Sequence, residues 1–290
     1  MRWLRLVDEI LETFLSPAPG GGYANFSFQY DAIGNMIYKS DLGVMSYGSG
    51  VGPHAVTSAG GYSYTYDANG NMVQGKNKTM SYDAENRLRE VNQGGTITSY
   101  FYDGDGGRVK KSTPGSSSGP ASCTAYIGSL FEITNDQSGI TTTKHIFAGA
   151  TRVASVSLRG GQSPTKQTFY YHSDHLGSSN VVTDQSGAQV EYCEYTPYGS
   201  LARNEGTDAV KYKFTGKELD SATGLYYYGA RYYDPELGRF ISADTIVQAP
   251  FNPQTLNRYS YCANNPINYV DPTGHWWFLV PLIIGAIKGA

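Results

Sequence analysis

Charge is scarce in this chain of 290 residues: Asp, Glu, Lys and Arg together make 16%, the net charge is -3, and the basic residues gather into no cluster. The electrostatic footprint of a nucleic-acid binder is therefore missing. Cysteine is scarce too. Cys123, Cys193 and Cys262 are odd in number and far apart, which excludes a complete disulfide framework and fits no metal-ligand spacing. They read as small apolar residues, and the redox compartment stays open. No phosphate-binding loop occurs, since Gly216-Lys217 lacks the upstream glycine. His172 and His175, with Asp174 between them, find no further cluster to complete a metal shell. No cofactor and no metal are expected. The apolar run Trp276 to Ile287 is twelve residues without a charge, short of the ~20 that cross a bilayer.

What the chain has instead is 25 Tyr and 35 Gly. Tyrosine favours half-buried pleated surface and glycine supplies tight turns, so the balance predicts an all-β fold of many short strands. The N-terminus is the exception. Trp3, Leu4, Val7, Ile10, Leu11 and Phe14 fall at helical spacing, which predicts an amphipathic helix lying over a sheet or strand edge, with membrane contact as the other option. Asp8, Glu9 and Glu12 interrupt any secretory h-region. Ser16 to Gly22 reads as a linker.

After the linker a pattern recurs. Tyr30-Asp31-Ala32-Ile33-Gly34-Asn35-Met36 returns as Tyr66-Asp67-Ala68-Asn69-Gly70-Asn71-Met72, and more loosely from Tyr82 and from Tyr102, with Tyr47-Gly48 in a degenerate slot. The five tyrosines stand 17, 19, 16 and 20 residues apart, and such a period decides architecture. In one unit, Tyr62, Tyr64 and Tyr66 alternate with small residues and so share one strand face. Asp67 then opens a type I turn and Gly70 ends it, sending the chain back through Asn71, Met72 and Val73. Each period is a hairpin. Asp-x-x-Gly turns recur at Asp136 to Gly139 and Asp184 to Gly187, flanked by predicted strands at 140–144 and 180–183. A stack of hairpins buries a continuous face only where neighbours cover one another.

The Tyr-Asp-x-x-Gly-Asn pattern resembles the YD repeats of Rhs proteins and of the C subunits of bacterial Tc toxins. Two later blocks are similar to that family's associated core: Tyr170-Tyr171-His172-Ser173-Asp174-His175-Leu176-Gly177-Ser178 running to Tyr195-Thr196-Pro197-Tyr198-Gly199, and Tyr212 through Asp271-Pro272-Thr273-Gly274. The resemblance spans roughly residues 23 to 275. It implies a tandem array of YD hairpins curving into a spiral, shell-like sheet that encloses the protein's own C-terminal effector segment. It divides the chain into a helix and linker (1–22), the YD array (23–165), the associated core (166–275) and the start of a variable C-terminal region (276–290). It also implies a bacterial protein that is exported or associated with the cell surface, with a delivery-system or shell partner. The apolar C-terminal segment reads either as a hydrophobic tail buried within the shell or as a membrane contact, Gly285 and Gly289 being spaced for close helix packing in lipid.

The same resemblance implies a self-cleaving aspartyl protease site that cuts just beyond Asp-Pro-x-Gly. Residue by residue, its arginine falls on Arg231 and its aspartates on Asp244 and Asp271, with Asp234 in reserve. Two neighbouring carboxylates share a proton, so one can act as base on a water while the other polarises the scissile carbonyl. An arginine can fix one carboxylate or stabilise the oxyanion. Each acid also has a bland reading: Asp234-Pro235 and Asp271-Pro272-Thr273-Gly274 are good turn sequences, and Asp244 could be solvated. Where many family members have leucine after the motif, this chain has His275-Trp276-Trp277, so the cut is expected after His275 or Trp276. Two other functions stand beside this one: a non-catalytic surface module whose tyrosines stack on carbohydrate or a partner protein, and an inert remnant that only folds.

Overall fold

A computed structural model describes residues 4–6, 9–17, 22–48, 52–115, 121–161, 164–207 and 210–279. The described chain is built of antiparallel sheets. Seven strands from Leu4–Leu6 to Tyr62–Ser63 pair in chain order, and fourteen from Thr65–Tyr66 to Leu201–Gly206 do the same. A four-stranded sheet spans Glu218–Asp220 to Arg239–Phe240, and Tyr269–Val270 pairs with Phe278–Leu279.

One hydrogen-bond scheme explains the repeat. In each turn the aspartate carboxylate accepts two backbone N–H groups: Asp31 takes those of Ile33 (3.1 Å) and Asn35 (2.8 Å), Asp67 those of Asn69 and Asn71, Asp83 those of Glu85 and Arg87. Donors that the ladder leaves unpaired are thereby satisfied. The fourth residue sits in the left-handed region, Gly34 at φ +80° and Gly70 at φ +83°, and the register shifts there by a bulge. This is the type I turn with a bulge that suits the twist of the flanking strands. The tyrosine one repeat later closes the unit: the hydroxyls of Tyr47, Tyr82 and Tyr102 donate to the carbonyls of Met36 (2.9 Å), Met72 (3.0 Å) and Leu88 (2.6 Å). Tyrosine recurs because the ring fills the core while the hydroxyl reaches the previous turn.

The expected strands at 140–144 and 180–183 lie within Gly139–Ala148 and Ser179–Thr183. Two expectations are corrected. The run Tyr62 to Tyr66 is not one strand, because the sheets part at Tyr64. Its buried ring occupies the space a Cβ on Gly75 would need, while Tyr62 is 38% exposed.

The N-terminal helix is also not formed: Leu4–Leu6 and Glu9–Pro17 are strands, with residues 1–3, 7 and 8 outside the described part. Glu9–Pro17 pairs along its whole length with Tyr23–Tyr30. Phe14 turns inward onto Phe28, their ring centroids 5.9 Å apart, while Thr13 and Leu15 face out. Strand pairing has overridden helical spacing, as it does when a neighbouring strand offers a full ladder. The Ser16–Gly22 linker is partly strand for the same reason, and residues 18–21 are not described.

Strand geometry places Glu12 beside Tyr30, with Oε2 buried and unpartnered. Burial pushes its carboxyl up to about 7, the Tyr30 hydroxyl offsetting only part of this. A raised carboxyl binds a proton more readily in the folded chain, so its contribution to stability is lost as pH climbs from about 4.5 to about 7. Glu12→Gln should therefore raise the melting temperature at pH 8 and leave it unchanged at pH 4. Discounted for partial exposure, the gain is ~1–2 kcal/mol. Thermal denaturation followed by circular dichroism at the two pH values checks it.

The sheets curve far enough for early strands to meet late ones. Ser16 donates to the Tyr195 carbonyl (3.2 Å), the hydroxyls of Tyr30 and Tyr198 lie 2.6 Å apart, and Phe28 packs on Tyr198. Between them sits a cluster of fully buried rings: Tyr226, Tyr228, Tyr233, Phe240 and Tyr261. The last segment ties down the hairpin turns. Asn257 and Asn264 both donate to the Gly34 carbonyl, Tyr259 to that of Gly70, and Met72 N–H to that of Ile241.

Candidate active site

Two turns lock together to form the site. Residues Tyr228 to Arg231 reverse through Gly229, with Tyr228 N–H donating to the Arg231 carbonyl (3.0 Å). Ala230 N–H donates to the Thr273 carbonyl (3.0 Å), docking this turn on Asp271-Pro272-Thr273-Gly274. Contact is too close for side chains: a Cβ on Gly229 would lie 2.9 Å from the Thr273 oxygen, and one on Gly274, at φ +81°, would lie 3.0 Å from the Tyr228 oxygen. Both glycines are there to let backbone touch backbone.

Arg231, Asp244 and Asp271 converge on this junction although 13 and 27 positions separate them in turn. All three are buried, at 6%, 5% and 3% exposure. The Arg231 guanidinium lies 2.8 Å from Asp244 Oδ2 and 3.7 Å from Asp271 Oδ2, and packs over the Phe240 ring at 3.7 Å. Its Nε donates to the Gly274 carbonyl and its second arm to that of Arg258 (2.8 Å). Burial draws its pKa down to about 10 against the pull of the two carboxylates; it stays charged at neutral pH.

The two aspartates are held differently. Asp271 Oδ1 accepts the N–H groups of Gly274 (2.7 Å) and Thr273 (3.1 Å), so it builds its own turn as well as facing Arg231. Burial raises its carboxyl, outweighing Arg231 and those two donors. Asp244 is the ion-paired member. Its Oδ1 accepts Ile246 N–H (2.9 Å) and meets His275 Nδ1 at 2.7 Å. A cavity of about 20 Å³ lies against Arg231, Asp244 and Asp271, room for one water molecule. Asp234 is not brought to this place. It caps its own turn, accepting from Glu236 and Leu237 N–H.

Several neighbours carry no signal in the sequence. Gln248 donates to the His275 carbonyl, Arg258 to that of Asp244, and Cys262 lies buried along the cavity wall with its thiol pushed up by burial. Nothing in their types or spacing marks them, because loops bring them in. His275 sits directly after the motif, yet only the fold turns its imidazole onto Asp244. Trp276 is partly exposed. His172 and His175 go to different partners, the Thr183 hydroxyl and the Ile267 carbonyl. The apolar segment's residues 280–290, with Gly285 and Gly289, lie outside the described part.

A family model described as the Teneurin YD-shell matches residues 14–118 and 158–267. The chain belongs to this YD-shell family. Its resemblance to Rhs and Tc-type YD-repeat proteins holds across curated relatives. It is 31% identical over 208 residues to the tRNA nuclease WapA of Bacillus subtilis (strain 168), matching 70% of this chain and 9% of that protein. It is 29% identical over 303 residues to toxin subunit YenC1 of Yersinia entomophaga, 90% of this chain and 30% of that one. The YD-shell chain thus spans less than a third of either relative. Among solved structures, the crystal structure of TcdB2-TccC3-TEV superposes with a TM-score of 0.71 at 22% identity, covering 92% of this chain and 15% of the other. The Photorhabdus luminescens Tc holotoxin pore gives 0.70 at 22% identity, over 95% and 15%. These two share the fold: antiparallel sheets of a YD shell.

Proposed function

We propose that this chain is the closing segment of an Rhs-type shell, which encloses the polypeptide that follows His275 and cuts itself free of it by an aspartyl mechanism. The observation that carries the reading is Arg231 between two buried carboxylates, with its Nε on the carbonyl of the residue that ends Asp-Pro-x-Gly. Asp244 serves as the base on a water in the small cavity; Asp271, whose carboxyl burial keeps protonated to higher pH, serves as the acid. The carbonyl held by Gln248 is that of His275, so the bond between His275 and Trp276 is the one assigned to the cut. Tethering the bond to its own catalyst supplies an effective molarity of roughly 10⁵ M or more when alignment is good, which suffices for one turnover.

By likeness to proteins named as a tRNA nuclease and as toxin subunits, the shell would be exported or held at the cell surface, with a partner subunit. What favours this over a carbohydrate-binding module is where the tyrosines point. Tyr30, Tyr100, Tyr195, Tyr198 and Tyr233 are buried with bonded hydroxyls, so these rings are spent on the core and cannot stack on sugar. Intact-mass spectrometry of the purified chain tests the proposal. Incubation should yield a species ending at His275 and a fragment beginning at Trp276. A chain that keeps its full mass over days at mildly acidic and neutral pH is not a self-cleaving one.

A further inference from the structure

A cavity of about 960 Å³ borders Asp271, Pro272 and Thr273 of the Asp-Pro-Thr-Gly turn and is also lined by Arg108, Arg152, Lys217, Glu218 and several aromatic rings. Its size is that of small-molecule sites, ~300–1,000 Å³. The two carboxylates have cations of their own: Glu218 meets Arg108, Lys111 and Lys211, and Asp271 faces Arg231. Arg108 is claimed by Glu218, its partner in a buried ion pair. Arg152 and Lys217 are not claimed.

Among the described residues Arg152 forms no ion pair. Its guanidinium stacks on Tyr212 at 3.2 Å and lies 5.0 Å from the Phe147 ring centre; one arm reaches the Gly216 carbonyl at 3.4 Å, and the buried Nε has no partner. Lys217, next in the chain after Gly216, likewise forms no ion pair among the described residues: it lies over the Tyr228 ring and donates to the Pro272 carbonyl at 2.5 Å. Stacking covers one face of a guanidinium that, of its five N–H donors, meets one acceptor among the described residues, the Gly216 carbonyl. Such a group binds a carboxylate well.

We propose that this cavity binds a small organic carboxylate with an apolar body, its oxygens between Arg152 and Lys217 and its body against the half-buried rings of Tyr126, Phe147 and Tyr227. Two cations outside any ion pair among the described residues, with Glu218 and Asp271 in the same cavity, suit a single carboxylate. A phosphate dianion would meet Glu218 and Asp271 with no third free cation. A free acid and the C-terminal residue of a polypeptide present the same chemistry. Asp271 lines both this cavity and the small one, but the two anion-binding groups proposed here, Arg152 and Lys217, take no part in the proposed cut.

Isothermal titration of the whole chain with 3-phenylpropionate, N-acetylphenylalanine and 3-phenylpropanamide tests it. Both acids should bind at least about tenfold more tightly than the amide, the discrimination expected of charge-assisted hydrogen bonds. Tighter binding of N-acetylphenylalanine identifies a polypeptide end as the natural source, and tighter binding of 3-phenylpropionate a free acid. Arg152→Met should erase the preference while sparing the amide. Acid affinity should also fall as pH passes about 8, where Lys217 loses its proton; Asp271, Arg152 and the Tyr228 ring face that ammonium, and His175 and Glu218 share the cavity. Lys217→Met should remove this pH dependence, and it carries the test if the Arg152 variant does not fold. Equal affinity for acid and amide, no binding of any probe at millimolar concentration, or unchanged affinity in both variants would overturn the proposal.

Discussion

Glu218→Ala should destabilise the fold by ~3–5 kcal/mol, the cost of leaving buried cations without their counter-ion. Glu218 is 3% exposed and meets Arg108 at 2.5 Å, Lys111 at 2.8 Å and Lys211 at 3.4 Å, while the Tyr126 hydroxyl donates to it at 2.8 Å. It joins the four-stranded sheet to Arg108 and Tyr126 of the fourteen-stranded one. Arg108 cannot retreat to water, since its guanidinium lies over Tyr227 at 4.1 Å and Tyr126 at 4.5 Å. Burial by itself would raise the Glu218 carboxyl, but Arg108, Lys211 and Lys111 overrule it and hold it well below the usual range. A depressed carboxylate contributes stability above its unfolded pKa, lost as pH falls through the folded one. Wild type should therefore weaken in acid and the variant should show a flatter acid limb. Replacing both members, as Arg108→Met with Glu218→Leu, should recover part of the loss, because no unpaired guanidinium is left, while Lys211 keeps Glu132 at 2.7 Å and Lys111 falls back on Asp220 at 3.8 Å. Urea unfolding followed by tryptophan fluorescence measures all three; equal stability of Glu218→Ala and wild type would show that water reaches the cluster.

How much of this was legible in the sequence follows from how local each cause is. The turns were, because Asp31 or Asp67 bonds to N–H groups two and four residues on, and a local hydrogen bond leaves a local signature. The N-terminus was not, because Glu9–Pro17 is a strand only by virtue of its partner Tyr23–Tyr30, and spacing within one segment cannot report a neighbour. The break at Tyr64 belongs to the same class. Arg231, Asp244 and Asp271 were legible through family resemblance rather than chemistry, since each alone passes for a turn or surface residue. That they meet is a property of the fold. Gln248, Arg258 and the imidazole of His275 reach the site through loops that follow no period, and Glu218 looks like any acid in a polar stretch. Non-local charge networks are what single-sequence reading misses.

Self-cleavage should be fastest in mildly acidic solution, decline as pH rises, and fall by ~10²–10⁴-fold in Asp271→Asn, the usual worth of a positioned general acid. Because burial raises the Asp271 carboxyl, the acid form persists above the ordinary aspartate range of about 3.9 and disappears once pH passes the raised value. That disappearance sets the alkaline limb. The linkage sign is the same for stability: a carboxyl raised in the folded chain contributes less as pH climbs through this window, so neutral Asn at 271 should make the fold more stable at alkaline pH than wild type. Asn keeps an Oδ1 for the Thr273 and Gly274 N–H groups, so the turn survives and lost cleavage cannot be blamed on a lost turn. Asp244→Asn should lose cleavage to the same extent with the opposite effect on stability, because it removes the direct partner of buried Arg231. Quenched time courses read by intact mass, set beside melting curves at matching pH, separate the two variants. A rate indifferent to pH, or an Asp271→Asn chain that cuts at the wild-type rate, would leave the paired carboxylates as a structural clasp and no more.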